Sequence, residues 1–179
     1  MKKLFFIAAG FFMISCNNEK DSGEQKKDEA KAPESEIMLP SKMAYNGTPT
    51  VGKTENIAKV MNFNGDFIAG KLDNIGSYLA DSVHVVFADG SDVKTVRDSI
   101  VATLKAWRGS MNSATQSYIS AVALDNKDMG HEWVFQWIDE SHEYKDGKKE
   151  HIIYHEDYRL ENGKIREVFQ YAQGVPEKK

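Results

Sequence analysis

A single cysteine, Cys16, stands in a chain of 179 residues, so no internal disulfide can hold the fold and no thiol pair has metal or redox spacing. Prolines are also scarce, and three of the four, Pro33, Pro40 and Pro49, fall before residue 51. Charge of one sign is nearly absent as a feature: 27 acidic residues against 23 basic ones give a formal net charge of −4, with no basic stripe. That balance supplies no electrostatic pull toward nucleic acid or anionic lipid. The chain has no Ser-His-Asp set, no phosphate-cradling glycine loop, no nucleotide fingerprint and no internal repeat, which removes most enzyme classes and implies no cofactor. Its one long apolar run, Leu4 to Ile14, is too short to span a bilayer as a mature helix.

What is present begins with order at the N-terminus. Lys2 and Lys3 precede that apolar run, and Ser15 then stands before Cys16. This arrangement resembles a lipobox, with Met13 where leucine is commoner. Residues 1–15 are therefore expected to be a lipoprotein signal peptide, and Cys16 the lipidated start of the mature chain, which removes the oddity of an exported free thiol. The resemblance implies membrane attachment at Cys16 and a place in the cell envelope, on the periplasmic side or the outer surface. Residues 16–50 mix acids, lysines and serines with few apolar clusters and read as a disordered tether. The folded domain is expected over 51–175. With 41% hydrophobic and 11% aromatic residues the chain can bury one real core, and its length leaves no room for two large domains.

Ile57, Val60, Met61, Ile68 and Leu72 recur at helical spacing and predict a first helix ending near Leu72. Asp73 can cap a short second helix through Leu79, and Val83, Val85 and Phe87 alternate as a strand. Ser91 or Asp92 is placed to cap a third helix whose stripe is Val96, Ile100, Leu104, Trp107 and Met111. After Asn112 the period changes to two. Four strands are expected at Tyr118 to Leu124, His131 to Tyr144, Lys149 to Glu161 and Lys164 to Ala172.

Asp146-Gly147 and Asn162-Gly163 signal two-residue hairpin turns. Centring the strands on them puts His142 opposite His151, Asp139 opposite Tyr154, Trp137 opposite Glu156, and Glu156 opposite Phe169. One face then collects Trp133, Phe135, Trp137, Tyr154, Tyr158, Leu160, Ile165, Phe169 and Tyr171, and the helices must cover it. The expected fold is α+β: a cone-shaped roll with three N-terminal helices packed on a curved, mainly antiparallel sheet. Its aromatic cavity would contain Asp139, Glu156 and Glu167.

Three segments carry a family resemblance: Tyr78-Leu79-Ala80-Asp81, Trp133-Val134-Phe135-Gln136-Trp137, and the run from His155 to Ile165 through Tyr158-Arg159-Leu160-Glu161-Asn162-Gly163-Lys164. They resemble the SnoaL-like branch of the nuclear transport factor 2-like superfamily over roughly Thr54 to Gln173. The resemblance implies a cone fold, often dimeric through the sheet, used by enzymes and by non-catalytic ligand binders alike. In the similar ketosteroid isomerases an acid near Glu156 donates to the oxyanion. Here the first helix has no tyrosine between Ile57 and Leu72, and Phe87 stands where those enzymes keep their base.

Glu156 is the sharpest candidate for chemistry, because a carboxyl group desolvated among rings has its pKa raised toward the range of a general acid or base. Glu156 with Asp139 forms the candidate catalytic pair of a cofactor-free lyase or isomerase. Asn64, Phe87, Trp107, Trp133, Trp137, Tyr154, Tyr158 and Phe169 are the candidate ligand-binding residues. His142, His151 and Glu140 could in principle gather a zinc or copper ion, but an exposed hairpin tip lacks a fixed second shell, and no metal is expected there. His84, His131 and His155 read as structural or solvent-facing. The favoured reading is a lipid-anchored domain that binds a small hydrophobic or aromatic molecule, or a partner protein, without converting it. A homodimer through the sheet is the further expectation.

Overall fold

The structure is a computed structural model that describes residues 49–176. The expected signal peptide, Cys16 and the expected tether as far as residue 48 lie outside the described residues. The element order is β1 (Thr50–Val51), α1 (Thr54–Ile68), a 3₁₀ turn (Ile75–Tyr78), β2 (Leu79–Val86), β3 (Asp92–Val96), α2 (Arg97–Gly109), β4 (Met111–Asn126), β5 (His131–Tyr144), β6 (Lys149–Glu161) and β7 (Lys164–Gly174).

Seven strands form one sheet in the order β1-β4-β5-β6-β7-β2-β3. Only the β2–β7 pair is parallel. The α+β class with a mainly antiparallel sheet is therefore present, but with two α-helices and one 3₁₀ turn where three helices were expected. Asp92 to Val96, taken from sequence as the start of the third helix, alternates as a short strand and pairs with β2. Val96 is the residue that precedes α2.

Helix α1 buries Asn56, Val60, Phe63, Asn64 and Phe67, a spacing of three and four residues that describes one face. Helix α2 buries Ile100 and Leu104 and leans Trp107 against the same core. Below them Leu79, Val83, Val134, Tyr158, Leu160, Ile165 and Val168 close the core from the sheet. Burying each such aliphatic side chain stabilises the fold by about 1.5–3 kcal/mol, so this layer fixes which sheet face meets the helices.

Turn geometry decides which side chains reach that face. Asn162 (φ 50°) and Gly163 (φ 69°) both adopt left-handed backbone, as a two-residue hairpin demands, and Leu160 stands opposite Ile165 as the sequence predicts. The Asp146-Gly147 turn differs. Only Gly147 is left-handed (φ 88°), its N–H donates to Tyr144 O at 3.0 Å, and Tyr144 N–H donates to Lys148 O at 2.8 Å. This is a three-residue loop with a bulge, locked by the Lys148 N–H donating to Asp146 Oδ1 at 2.9 Å. The same device recurs where Phe87 N–H donates to Ser91 O, Gly90 has φ 87°, and Ser91 N–H donates to Asp89 Oδ1.

One extra loop residue moves β5 by one position against β6, and one position reverses every side chain. Gln136, not Trp137, stands opposite Glu156; Ile138 stands opposite Tyr154, Val134 opposite Tyr158 and Ser141 opposite His151. A second shift follows in β7, where Arg159 pairs with Glu167 while Leu160 pairs with Ile165, leaving Arg166 as a bulge. Beyond it Glu156 faces Gln170, and Phe169 faces Asp157.

The expected single aromatic face is thus split. Tyr154, Tyr158, Leu160 and Ile165 are buried beneath the helices, together with Val134, Gln136, Ile138, Glu140 and His142. Trp133, Phe135, Trp137, Phe169 and Tyr171 lie on the opposite, outer face with His155 and Asp157.

Candidate ligand-binding site

Between the helices and the inner sheet face lies a cavity of about 50 Å³, room for roughly three or four waters or a ligand of similar bulk. Its walls are apolar: Phe63 and Phe67 of α1, Val83 and Val85 of β2, Ile100, Leu104 and Trp107 of α2. Phe87 and Val168 add to them. Phe67 and Trp107 stand 5.0 Å apart between ring centroids. The floor is polar, with Asn64, Glu140, Tyr154, Glu156, Tyr158 and Gln170.

Alternation along three strands builds this floor. Gln136 and Glu140 come from β5 with Ile138 between them on the same face, Tyr154, Glu156 and Tyr158 alternate along β6, and Gln170 comes from β7. Asn64 reaches down from α1.

Glu156 is the centre of a closed network. Its Oε2 contacts Gln136 Nε2 at 2.8 Å, Tyr158 OH at 2.6 Å and Asn64 Nδ2 at 3.5 Å, and its Oε1 accepts from Gln170 Nε2 at 2.7 Å. Tyr158 OH also lies 3.1 Å from Asn64 Oδ1. A phenol has one proton and cannot donate to both oxygens. The contact to Glu156 is the shorter, so Tyr158 donates to Oε2 and meets Asn64 Oδ1 at the longer distance. Burial pushes the Glu156 carboxyl above the usual carboxylate range, and the nearby Glu140 charge pushes the same way. The donated hydrogen bonds of Tyr158, Gln170 and Gln136 oppose that shift without cancelling it.

Glu140 makes a second, separate pair. Its Oε2 lies 2.9 Å from His142 Nε2, and the His142 side chain is completely buried. Trp107 and Tyr144 present their ring edges or faces to that imidazole at 6.1 Å.

Of the residues expected at the site, Asn64, Phe87, Trp107, Tyr154, Glu156 and Tyr158 line the cavity. Trp133, Trp137, Phe169 and Asp139 do not, because the three-residue loop and the Arg166 bulge turn them outward. Asp139 meets His151 at 2.8 Å on a part-exposed surface, across the sheet from Glu156, so these two acids form no pair. Glu167 is likewise outside, held by Arg159 at 2.7 Å. His142 points inward and His151 outward, so they share no metal; among the described residues no group of three His, Cys, Asp or Glu could hold one. Sequence reasoning missed Glu140, Gln136 and Gln170. Their signal was the alternation Gln136, Ile138, Glu140, His142, visible only once the loop length fixes the parity.

The sequence matches no protein-family model and no curated protein. Solved structures match well. An epoxide hydrolase of the LEH-like type from M. tuberculosis superposes with a TM-score of 0.57 at 14% identity, over 67% of this chain and 84% of that one. An NTF2-like protein of unknown function from Exiguobacterium gives 0.53 at 14% identity, over 66% and 98%. The fold is NTF2-like. SalBIII, an epoxide hydrolase/cyclase-like enzyme of pyran ring formation in salinomycin, gives 0.55 at 13% identity, over 67% and 92%. The NTF2-like fold serves ligand-binding proteins and cofactor-free enzymes alike, so the site and not the fold must decide the role.

Proposed function

We propose that this chain is a lipid-anchored protein of the cell envelope, held through Cys16, whose NTF2-like domain binds a small, largely apolar molecule in the cavity without converting it. The observation that carries this reading is the state of Glu156. The acid at the centre of the floor is engaged on both oxygens by Gln136, Tyr158 and Gln170, while the walls above it are apolar and aromatic. A carboxyl group tied by the protein's own donors shapes and polarises a pocket; it is not free to shuttle a substrate proton.

Native mass spectrometry of the full chain purified from its own cells tests this, with Val85→Trp as a variant that fills the cavity. A retained small molecule lost in the variant supports the reading. Absence of any bound mass, together with no perturbation of the cavity residues by small apolar compounds in NMR titrations, overturns it. The same purified chain tests the anchor, since an unmodified Cys16 in exported protein rules it out.

A homodimer through the outer face is the second element of this proposal. The Trp133, Phe135 and Phe169 rings stack along that face, and Trp137, Tyr171 and Ile119 stand 36%, 56% and 59% exposed. An apolar patch of this kind marks an interaction surface.

A further inference from the structure

Among the polar groups that line the cavity, Glu156 is engaged on both oxygens, whereas Glu140 and Tyr154 each keep an atom without a partner. Glu140 uses Oε2 on His142, and no donor among the described residues reaches its Oε1. Tyr154 is buried, lines the cavity, and its hydroxyl makes no hydrogen bond among the described residues. These two side chains belong together: after burial, the Glu140 charge is the strongest influence on the Tyr154 hydroxyl, and both push it well above its ordinary range.

Three proton arrangements are open to the Glu140–His142 pair. One hydrogen joins Nε2 and Oε2, and the other ring nitrogen, Nδ1, is buried with no partner. An imidazolium would leave a charged N–H donor unpaired there, and a protonated Glu140 would leave a neutral one. The neutral Nε2–H tautomer leaves only a bare lone pair at Nδ1, but it keeps an anionic carboxylate buried, a cost that a bound cation would offset. In that state the pair carries one negative charge, on a carboxylate whose side chain is nine-tenths buried. His142 then donates to Oε2 and fixes the carboxylate plane, while Glu140 lines the cavity with Oε1 free of any donor among the described residues. A buried carboxylate without a countercharge is a strong acceptor for a cationic donor. Trp107 and Phe67 in the wall offer ring faces that tolerate a cation, where an anion would be repelled.

We infer that the cavity's ligand is a small aliphatic amine, its ammonium group bound by Glu140 Oε1 beside the Tyr154 hydroxyl and its apolar part between Phe67, Leu104 and Trp107. This rests on the binding role proposed above and adds the class of ligand. Glu140 is the recognition residue and His142 a positioning residue that acts through it.

The test uses the full chain and two probes of equal shape that match the cavity's size, n-propylamine and n-propanol, titrated at pH 7 and read by NMR shifts of the Trp107 indole and the Leu104 methyl groups. The amine is expected to bind at least roughly tenfold more tightly than the alcohol. Glu140→Gln is expected to bring that ratio to about one. His142→Gln should lower the ratio part of the way, a change in selectivity that a purely structural role would not produce. Tyr154→Phe, which keeps the ring and removes only the hydroxyl, should weaken amine binding in a protein whose fold is undisturbed. Equal affinities in the unaltered chain, or a ratio that survives Glu140→Gln, overturn the amine assignment alone. If neither probe moves the cavity resonances, the binding role itself falls, so the two failures are told apart.

Discussion

Trp137 stacks on His155 with ring centroids 4.4 Å apart and planes 8° from parallel, on the side of the sheet opposite Glu156. The pair continues into Tyr171, whose ring lies 5.7 Å from His155. Such a ladder orders an outer surface that would otherwise cost solvation, each ring pair contributing about 0.5–1.5 kcal/mol. If the ladder is the dimer surface, Tyr171→Asp and Val122→Glu place charges in it without touching the core. Sedimentation velocity should show a dimer for the unaltered chain and a monomer for the double variant. A unaltered chain that stays monomeric at every concentration rejects the dimer.

Glu156 carries a pH signature of definite sign. Burial raises its folded pKa above the ordinary 4.5 of a glutamate side chain. The folded state therefore holds the proton more tightly than the unfolded state. Stability from this group is fully present below about pH 4.5 and declines as pH rises through the elevated folded value. Glu156→Gln should flatten that part of the stability curve in urea titrations across pH. The substitution is accommodated by turning the Gln136 amide, whose Oε1 is buried without a partner. An unchanged slope in the variant would assign the pH dependence elsewhere.

Tyr158 ties α1 to the sheet through one hydroxyl. Tyr158→Phe leaves the ring packed against Phe63, 6.3 Å away, and removes the donor to Glu156 Oε2 together with the contact to Asn64 Oδ1. A buried polar network left short of one member costs about 1–3 kcal/mol, to be measured as a fall in urea midpoint. A loss below about 0.3 kcal/mol would mean that water replaces the hydroxyl at no cost.

The Asn162-Gly163 turn gives a backbone test. Asn162 sits at φ 50°, a region that costs most side chains about 1–2 kcal/mol. Asn162→Val should lose about that much, whereas Asn162→Gly should stay within about 0.5 kcal/mol of the starting stability. Equal losses in both would indicate that the side chain and not the backbone holds the turn.

Strand extents were legible in the sequence because period-two alternation and turn residues report them directly: His131–Tyr144 and Lys149–Glu161 are found where alternation places them. Facing was not, because it depends on whether an Asp-Gly pair supplies one left-handed residue or two. Asp146 and Asp89 each accept the N–H two residues ahead, which selects the three-residue loop, whereas Asn162 enters the left-handed region itself. The Arg166 bulge has no comparable signature. Asp92 to Val96 was misread for a different reason: its charges fit a helix start, and only pairing with β2 makes it a strand. The cavity was legible in part, since Glu156, Tyr154, Tyr158 and Asn64 depend on β6 and α1. Residues on β5 and β7 follow loop and bulge.

Arg166 has a consequence out of proportion to its place at the rim. As the unmatched residue of β7 it sets whether Gln170 or Phe169 looks inward, and it is anchored from outside by contacts with Ser82 and, at 3.5 Å, Glu161. Deleting this one codon would exchange the inside and outside of the last strand. A family of related chambers with greasy or polar floors is thus reachable by insertion and deletion at the rim, with no change to any residue that touches the guest.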